Sequence, residues 1–206
     1  MRYHLVSAVA ALGAMLPLMT QAADQLSYSY LDPAYITTDI DGFDDNVDGF
    51  ALRGSLEVTD QFFGWAGYTT QSTEVFGEDL DYTTMSIGGG YAWPLSPTAD
   101  IYGRLGYVKA EVDYAGFDAD DDGYLLGAGL RARVAQEFEL EGGLNYMDFS
   151  DSGDDTSVYA AGRWYFTPSF AAGLEAELGD NVTTYGIGVR WNFAPGNAGR
   201  SFSSNR

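Results

Sequence analysis

The chain has 206 residues, no cysteine, one histidine and a formal net charge of −20. Without cysteine there is no disulfide scaffold and no thiol chemistry. With Lys109 as its lone lysine, the chain lacks the clustered cations that nucleic acid and other polyanions require. Glycine (26) and tyrosine (15) are abundant while mean hydropathy stays near neutral at −0.15, a balance typical of strands that are apolar on one face only.

The amino terminus reads as a secretory signal. Arg2 and His4 give a positive start, Leu5 to Met19 is a short apolar run, and Gln21-Ala22-Ala23 is a small-residue cleavage site. The expected division is therefore a leader over 1–23, a mature body over 24–193 and a polar periplasmic tail over 194–206. No later apolar run approaches the roughly 20 residues of a membrane helix, so any membrane crossing must use strands.

From residue 24 onward the helical period is absent, and segments of about ten residues alternate in polarity between turns. Ten strands are predicted: 25–38, 48–58, 62–71, 82–93, 100–112, 123–134, 137–148, 156–166, 170–179 and 182–193. Pro33 lies inside the first, where a bulge is expected. Eight strands remain the alternative, because the last hairpin turn, Gly179-Asp180-Asn181, is so short. The connections fall into two classes. Short ones (Thr59 to Gln61, Leu95 to Ala99, Ala135-Gln136, Thr167 to Ser169) alternate with longer acidic ones (Asp39 to Val47, Ser72 to Asp81, Asp113 to Asp122, Phe149 to Asp155). Short turns on one side and long loops on the other is the outer-membrane pattern, with the long loops outside the cell.

The aromatics follow the same polarity. Trp65, Trp93, Trp164 and Trp191, with Phe62, Phe138, Phe166, Phe170 and Phe193, lie near the short turns and read as a periplasmic girdle. Tyr68, Tyr82, Tyr107, Tyr124, Tyr146, Tyr159 and Tyr185 lie nearer the long loops and read as the outer one. In a soluble sandwich or lipocalin-like barrel these aromatics would instead face a core, leaving charges on an unusually glycine-rich exterior.

On the opposite, polar face stand Arg53 and Glu57, Arg104, Arg131 and Arg133, Glu139 and Glu141, Arg163, Glu175 and Glu177, and Arg190. Their sign alternates strand by strand over the last five strands, all in the predicted periplasmic half. Neighbouring strands are about 5 Å apart, so these groups can pair across them, and buried charge is costly unless paired. The expectation is a lumenal ladder of ion pairs that plugs a narrow barrel. The same residues would line a constriction if the barrel were an open, cation-preferring pore.

Catalysis by a Ser-His or Asp-His constellation is excluded, because His4 belongs to the leader. Two acidic stretches carry a calcium-like spacing: Asp118, Asp120 and Asp122 before Gly123, and Asp44, Asn46 and Asp48 before Gly49. Neither has the acidic twelfth position of an EF-hand, so acidic turn residues are the plainer reading. Weak binding of Ca2+ or Mg2+, bridging the loops to lipopolysaccharide, is the other. No further cofactor is expected. The glycine pattern from Gly127 to Ala132 lies inside a strand and carries no dinucleotide site.

The last strand, Gly186-Ile187-Gly188-Val189-Arg190-Trp191-Asn192-Phe193, puts Ile187, Val189, Trp191 and Phe193 on one face and small or polar residues on the other. Gly188, Trp191 and Phe193 resemble the closing strand by which outer-membrane barrels are recognised for assembly, although Ala194 to Arg206 follow it here. With the leader, the alternation and the loop asymmetry, nearly all of the mature chain is similar to the small outer-membrane β-barrel proteins of Gram-negative bacteria, the OmpA/OmpX-like and opacity-protein-like group. That resemblance implies an antiparallel up-and-down barrel working in envelope integrity, surface interaction or small-solute passage. It implies as partners outer-membrane lipid, lipopolysaccharide and the barrel-assembly machinery, with a monomer as the functional unit and no nucleic acid. The barrel enzymes of similar size depend on a histidine that the expected mature chain lacks. Phe43, Phe76 and Phe117 would tip the acidic loops.

Overall fold

The computed structural model describes residues 26–42, 46–75 and 77–193. The leader, the tail, Phe43, Asp44 and Phe76 lie outside them. The described elements are strands only: β1 (Tyr30–Ile40), β2 (Val47–Glu57), β3 (Phe62–Val75), β4 (Glu78–Ser96), β5 (Ala99–Tyr114), β6 (Phe117–Ala135), β7 (Phe138–Phe149), β8 (Gly153–Tyr165), β9 (Phe170–Leu178) and β10 (Val182–Asn192). Each pairs antiparallel with its sequence neighbour, and β10 returns to β1, closing a ten-stranded barrel. Closure leaves no strand edge open across the apolar layer, which a spanning sheet requires.

Period-2 alternation decides the faces. Leu31, Phe50, Leu52, Leu56, Ile87, Leu105, Leu126, Leu174 and Ile187 are exposed on the outside. In a soluble protein such a continuous apolar surface would be an aggregation hazard, whereas in lipid it is the solvent-facing side. Trp93, Trp164, Trp191, Phe62, Phe138, Phe166, Phe170 and Phe193 face out at the short-turn end. Phe166, Phe170 and Trp191 stack in series with ring centroids 6.3 Å apart.

The expected long loops are mostly sheet. β3 and β4 pair out to Val75 and Glu78, and β5 and β6 out to Tyr114 and Phe117. Ala115 (φ 51°) and Gly116 (φ 80°) make a two-residue turn there. A glycine at a left-handed position permits such a tight turn, and the ladder then continues through acidic residues that remain in water on both faces. The barrel rim is therefore uneven. β4 and β6 have 19 residues each, while β9 has 9 and β10, β1 and β2 have 11. About 9–11 tilted residues cross a bilayer, so the upper ends of β3 to β6 stand clear of the membrane.

Pro33 makes no bulge. The β1–β10 ladder is interrupted at Asp32 and Pro33 and resumes in the same register, Leu31 opposite Trp191 and Ala34 opposite Gly188. Proline lacks one donor and adds no residue, so a bond is lost without a slip. Register shifts fall instead between Pro94 and Ser96 and between Arg133 and Ala135.

Residues 26–29, predicted to begin the first strand, lie inside the barrel. Leu26, Ser27, Tyr28 and Ser29 are all buried. Trp65 also departs from its expected place. It faces inward with Tyr28, Phe63, Ala92, Tyr102 and Leu125 in an aromatic cluster. Phe62 and Phe63 differ in face by one residue, and Trp65 shares the face of Phe63. Tyr159 likewise points into the lumen, where its hydroxyl meets that of Tyr102. Tyr82 is paired with the inward-facing Gln71.

Candidate functional site

The lumen carries the polar chemistry of the described residues. Its centre is Glu139 on β7, fully buried, whose two oxygens take Arg131 in a bidentate pair at 2.8 and 3.0 Å. Arg190 reaches the same carboxylate from β10 at 3.3 Å, Arg163 from β8 at 3.5 Å and Arg133 at 3.6 Å, and Tyr165 donates at 3.1 Å. The β6–β7 and β7–β8 contacts are local, with Glu139 directly opposite both Arg133 and Arg163. β10 and β7 are not neighbours, so the Arg190 contact spans the interior.

A second carboxylate, Asp32 on β1, binds Arg190 at 2.7 and 3.0 Å and Arg163 at 3.4 Å. Glu141 takes Arg163 at 2.7 Å and the Tyr102 hydroxyl at 2.5 Å. Aromatic faces cover the remaining guanidinium surface: Arg190 lies 3.8 Å from the Tyr30 ring centre and Arg133 3.9 Å from that of Tyr165. Weak hydration and a planar fork make arginine the cation suited to such packing. Bidentate and charge-assisted bonds are what offset the desolvation of buried ions.

Higher in the lumen the pairing continues through different partners. Arg53 on β2 bonds Glu175 on β9, again across the interior. Arg104 donates to Asn145 at 2.8 Å, and Asn145 donates in turn to Glu177 at 3.0 Å. Trp65 lies under Arg104, with 5.2 Å from the guanidinium carbon to the ring centre. Glu175 and Glu177 stand near the extracellular end of short β9, not in the periplasmic half. Glu57 accepts the backbone N–H of Tyr28 at 2.8 Å.

Several lumenal residues escaped the sequence reading. Asp32 was hidden beside Pro33, which marked its neighbourhood as irregular. The parity of β1 does carry the signal, since Tyr30, Asp32, Ala34, Ile36 and Thr38 share one face and are buried or half-buried. Asp100 is buried opposite Arg131, and Tyr102 follows on the same face of β5.

The acidic stretch is not a cage. Asp118, Asp120 and Asp122 lie on β6 opposite Asp113, Glu111 and Lys109, so they recur along an extended strand. Alternate residues there are about 6.8 Å apart, too far for three carboxylates to meet one ion at about 2.4 Å. Lys109 bonds Glu111 at 2.6 Å and approaches Asp120 at 3.4 Å. Asp48 is likewise a strand residue and Asn46 immediately precedes β2. Among the described residues no group of three or more His, Cys, Asp or Glu is placed to hold a metal. Phe117 is exposed at the tip of the β5–β6 hairpin.

The closing strand is built for its seam. A Cβ at Gly188 would lie 2.6 Å from the Pro33 carbonyl oxygen and 2.9 Å from Ala34 Cβ, so β1 and β10 meet closely only because this residue has no side chain. Trp191 and Phe193 pack edge to face outside with centroids 5.6 Å apart.

Comparison with known proteins gives the same architecture. A family model described as the outer membrane protein beta-barrel domain matches residues 8–193. Among solved structures, the NanC porin is similar at 11% identity and a TM-score of 0.52, over 78% of this chain and 98% of that one. The N-terminal β-barrel domain of Pseudomonas aeruginosa OprF has 13% identity and a TM-score of 0.45, over 82% and 99%. The attachment invasion locus protein Ail of Yersinia pestis has 17% identity and a TM-score of 0.40, over 79% and 94%. No curated protein matches the sequence. Such identities speak for a shared fold and for nothing finer. The chain belongs to the outer membrane protein beta-barrel domain family and resides in the outer membrane of a Gram-negative bacterium.

Proposed function

We propose that this protein is a closed, non-catalytic barrel whose lumen is an ion-paired plug, serving envelope structure or surface interaction through its acidic extracellular sheet. The observation that carries the reading is the Glu139 carboxylate, which is fully buried and held by arginines from β6, β8 and β10. Groups that line a conducting passage must exchange partners with water and ions. Here the guanidinium groups of Arg131, Arg163 and Arg190 are saturated by Glu139, Glu141, Asp32 and backbone carbonyl oxygen. Charge balance inside leaves the excess acidity outside, where it favours cationic partners or cation-bridged lipopolysaccharide. The working unit on this reading is a monomer set in outer-membrane lipid, delivered by the assembly machinery through its closing strand.

Refolded protein in a planar bilayer tests this directly. Correctly folded protein should give no resolved current steps. Steady cation-selective steps, altered by Arg131→Ala or Glu141→Ala, would replace the plug with a pore lined by the same charges.

A further inference from the structure

The wall does not close the lumen by itself. Side chains of about eight strands can fill a barrel interior, and this barrel has ten. The arginine–carboxylate pairs around Glu139 come from β6, β7, β8, β10 and β1, and from the side of β2, β3 and β5 the Tyr102 hydroxyl reaches Glu141. That side is occupied by Leu26 to Ser29, which precede β1 and belong to no strand.

The segment is bonded as an interior part. The Tyr28 ring stacks on Phe63 at 4.5 Å and 18°, and meets Tyr102 edge-on at 6.1 Å. The Arg131 guanidinium carbon lies 5.2 Å from the centre of the Tyr28 ring. Arg131 also donates to the Ser27 carbonyl at 2.7 Å, tying the segment to the Glu139 cluster. The Tyr28 N–H donates to Glu57, the Glu57 N–H donates to Ser29 Oγ at 3.1 Å, and the Phe193 N–H donates to the Ser29 carbonyl at 3.2 Å. Buried backbone groups are tolerated only when paired in this way. Nevertheless no β-ladder holds the segment, and it joins the wall covalently only at Tyr30. It is therefore the one described part of the plug that can leave without opening the barrel wall.

We propose that Leu26–Ser29 is an amino-terminal stopper, and that its withdrawal opens a water-filled passage along the β2, β3 and β5 side of the lumen. The proposal rests on the closed-barrel reading above. It assigns that barrel a second, conducting state.

The test compares refolded protein beginning at Asp24 with protein beginning at Tyr30 in planar bilayers, with folding of each checked by its heat-sensitive gel mobility. Silence from the longer protein and resolved steps from the shorter are expected. A folded shorter protein that stays silent overturns the stopper and leaves the closed barrel intact. Steps from the longer protein overturn the closed barrel itself. Should the shorter protein not fold, the cysteine-free chain permits Ser27→Cys. Its thiol should resist a water-soluble maleimide in the folded barrel and react after heating in detergent. Equal labelling of folded and heated protein would overturn the proposal.

Discussion

The lumen and the extracellular rim hold similar groups under opposite physics. In the lumen, Glu139 and Asp32 are buried, Glu141 is mostly so, and each is met by arginine at bonding distance. At the rim, Asp113 faces Asp118 across β5 and β6 with only Lys109 nearby to offset the acids. Burial makes an unpaired charge very costly, so the interior had to balance. Water screens the rim within roughly a Debye length of 8–10 Å, so the excess charge could accumulate there. Residue type alone therefore says little about a charge's role, and its position relative to the membrane says much more.

Breaking the interior should have the largest effect. Glu139→Gln leaves Arg131, Arg163 and Arg190 without their common partner, with an expected loss of about 3–5 kcal/mol, read as a lower urea midpoint of the folded band. Trp65→Ala should follow closely, because removing a buried ring from the aromatic cluster costs about 3–5 kcal/mol. Trp93→Ala, which loses a lipid-facing ring and its packing on Tyr91 but opens no interior cavity, should cost clearly less. Brominated lipid should quench Trp93, Trp164 and Trp191 but spare Trp65, and equal quenching of all four would return Trp65 to the girdle.

The seam should be next. Gly188→Val forces β10 away from Pro33 and Ala34, at a cost of about 1–3 kcal/mol, visible as slower closure to the heat-sensitive form. At the rim, Lys109→Ala removes a solvent-screened ion pair and should leave the urea midpoint almost unchanged. A larger shift would mean the rim is not screened as argued.

The smallest effect is a pH response outside the membrane. Asp121 accepts hydrogen bonds from the Ser152 hydroxyl and from the backbone N–H groups of Asp151 and Ser152. Those bonds, the Ser152 hydroxyl first, hold its carboxyl below the usual carboxylate range. A lowered acid stabilises the fold above its ordinary pKa and loses that contribution as pH falls through the lowered value. Amide exchange at Asp151 and Ser152 should therefore quicken on acidification beyond its intrinsic pH dependence, and Asp121→Asn should abolish the excess.

How far the chain can be read without its fold differs by element. β10 was legible in full, since Ile187, Val189 and Trp191 against Gly188 and Arg190 admit one assignment of faces. The inward parity of Arg131, Glu139, Arg163 and Glu175 was equally plain, because charge cannot face lipid. Phe63 and Trp65 were not, as either face of an aromatic-rich segment is acceptable near an interface. Leu26-Ser27-Tyr28-Ser29 alternates as well as any strand does, yet β2 and β10 already flank β1 and the segment turns inward.

By itself the sequence determined the strand pattern, the faces of most strands and the outer-membrane class, because each depends on local alternation between lipid and water. The tertiary structure decided which acid meets which arginine, that Asp32 joins them, that the acidic loops zip into sheet, and that the amino-terminal segment enters the lumen. Those outcomes depend on the diameter and stagger of a closed ten-stranded barrel, which bring together groups more than a hundred residues apart, such as Asp32 and Arg190.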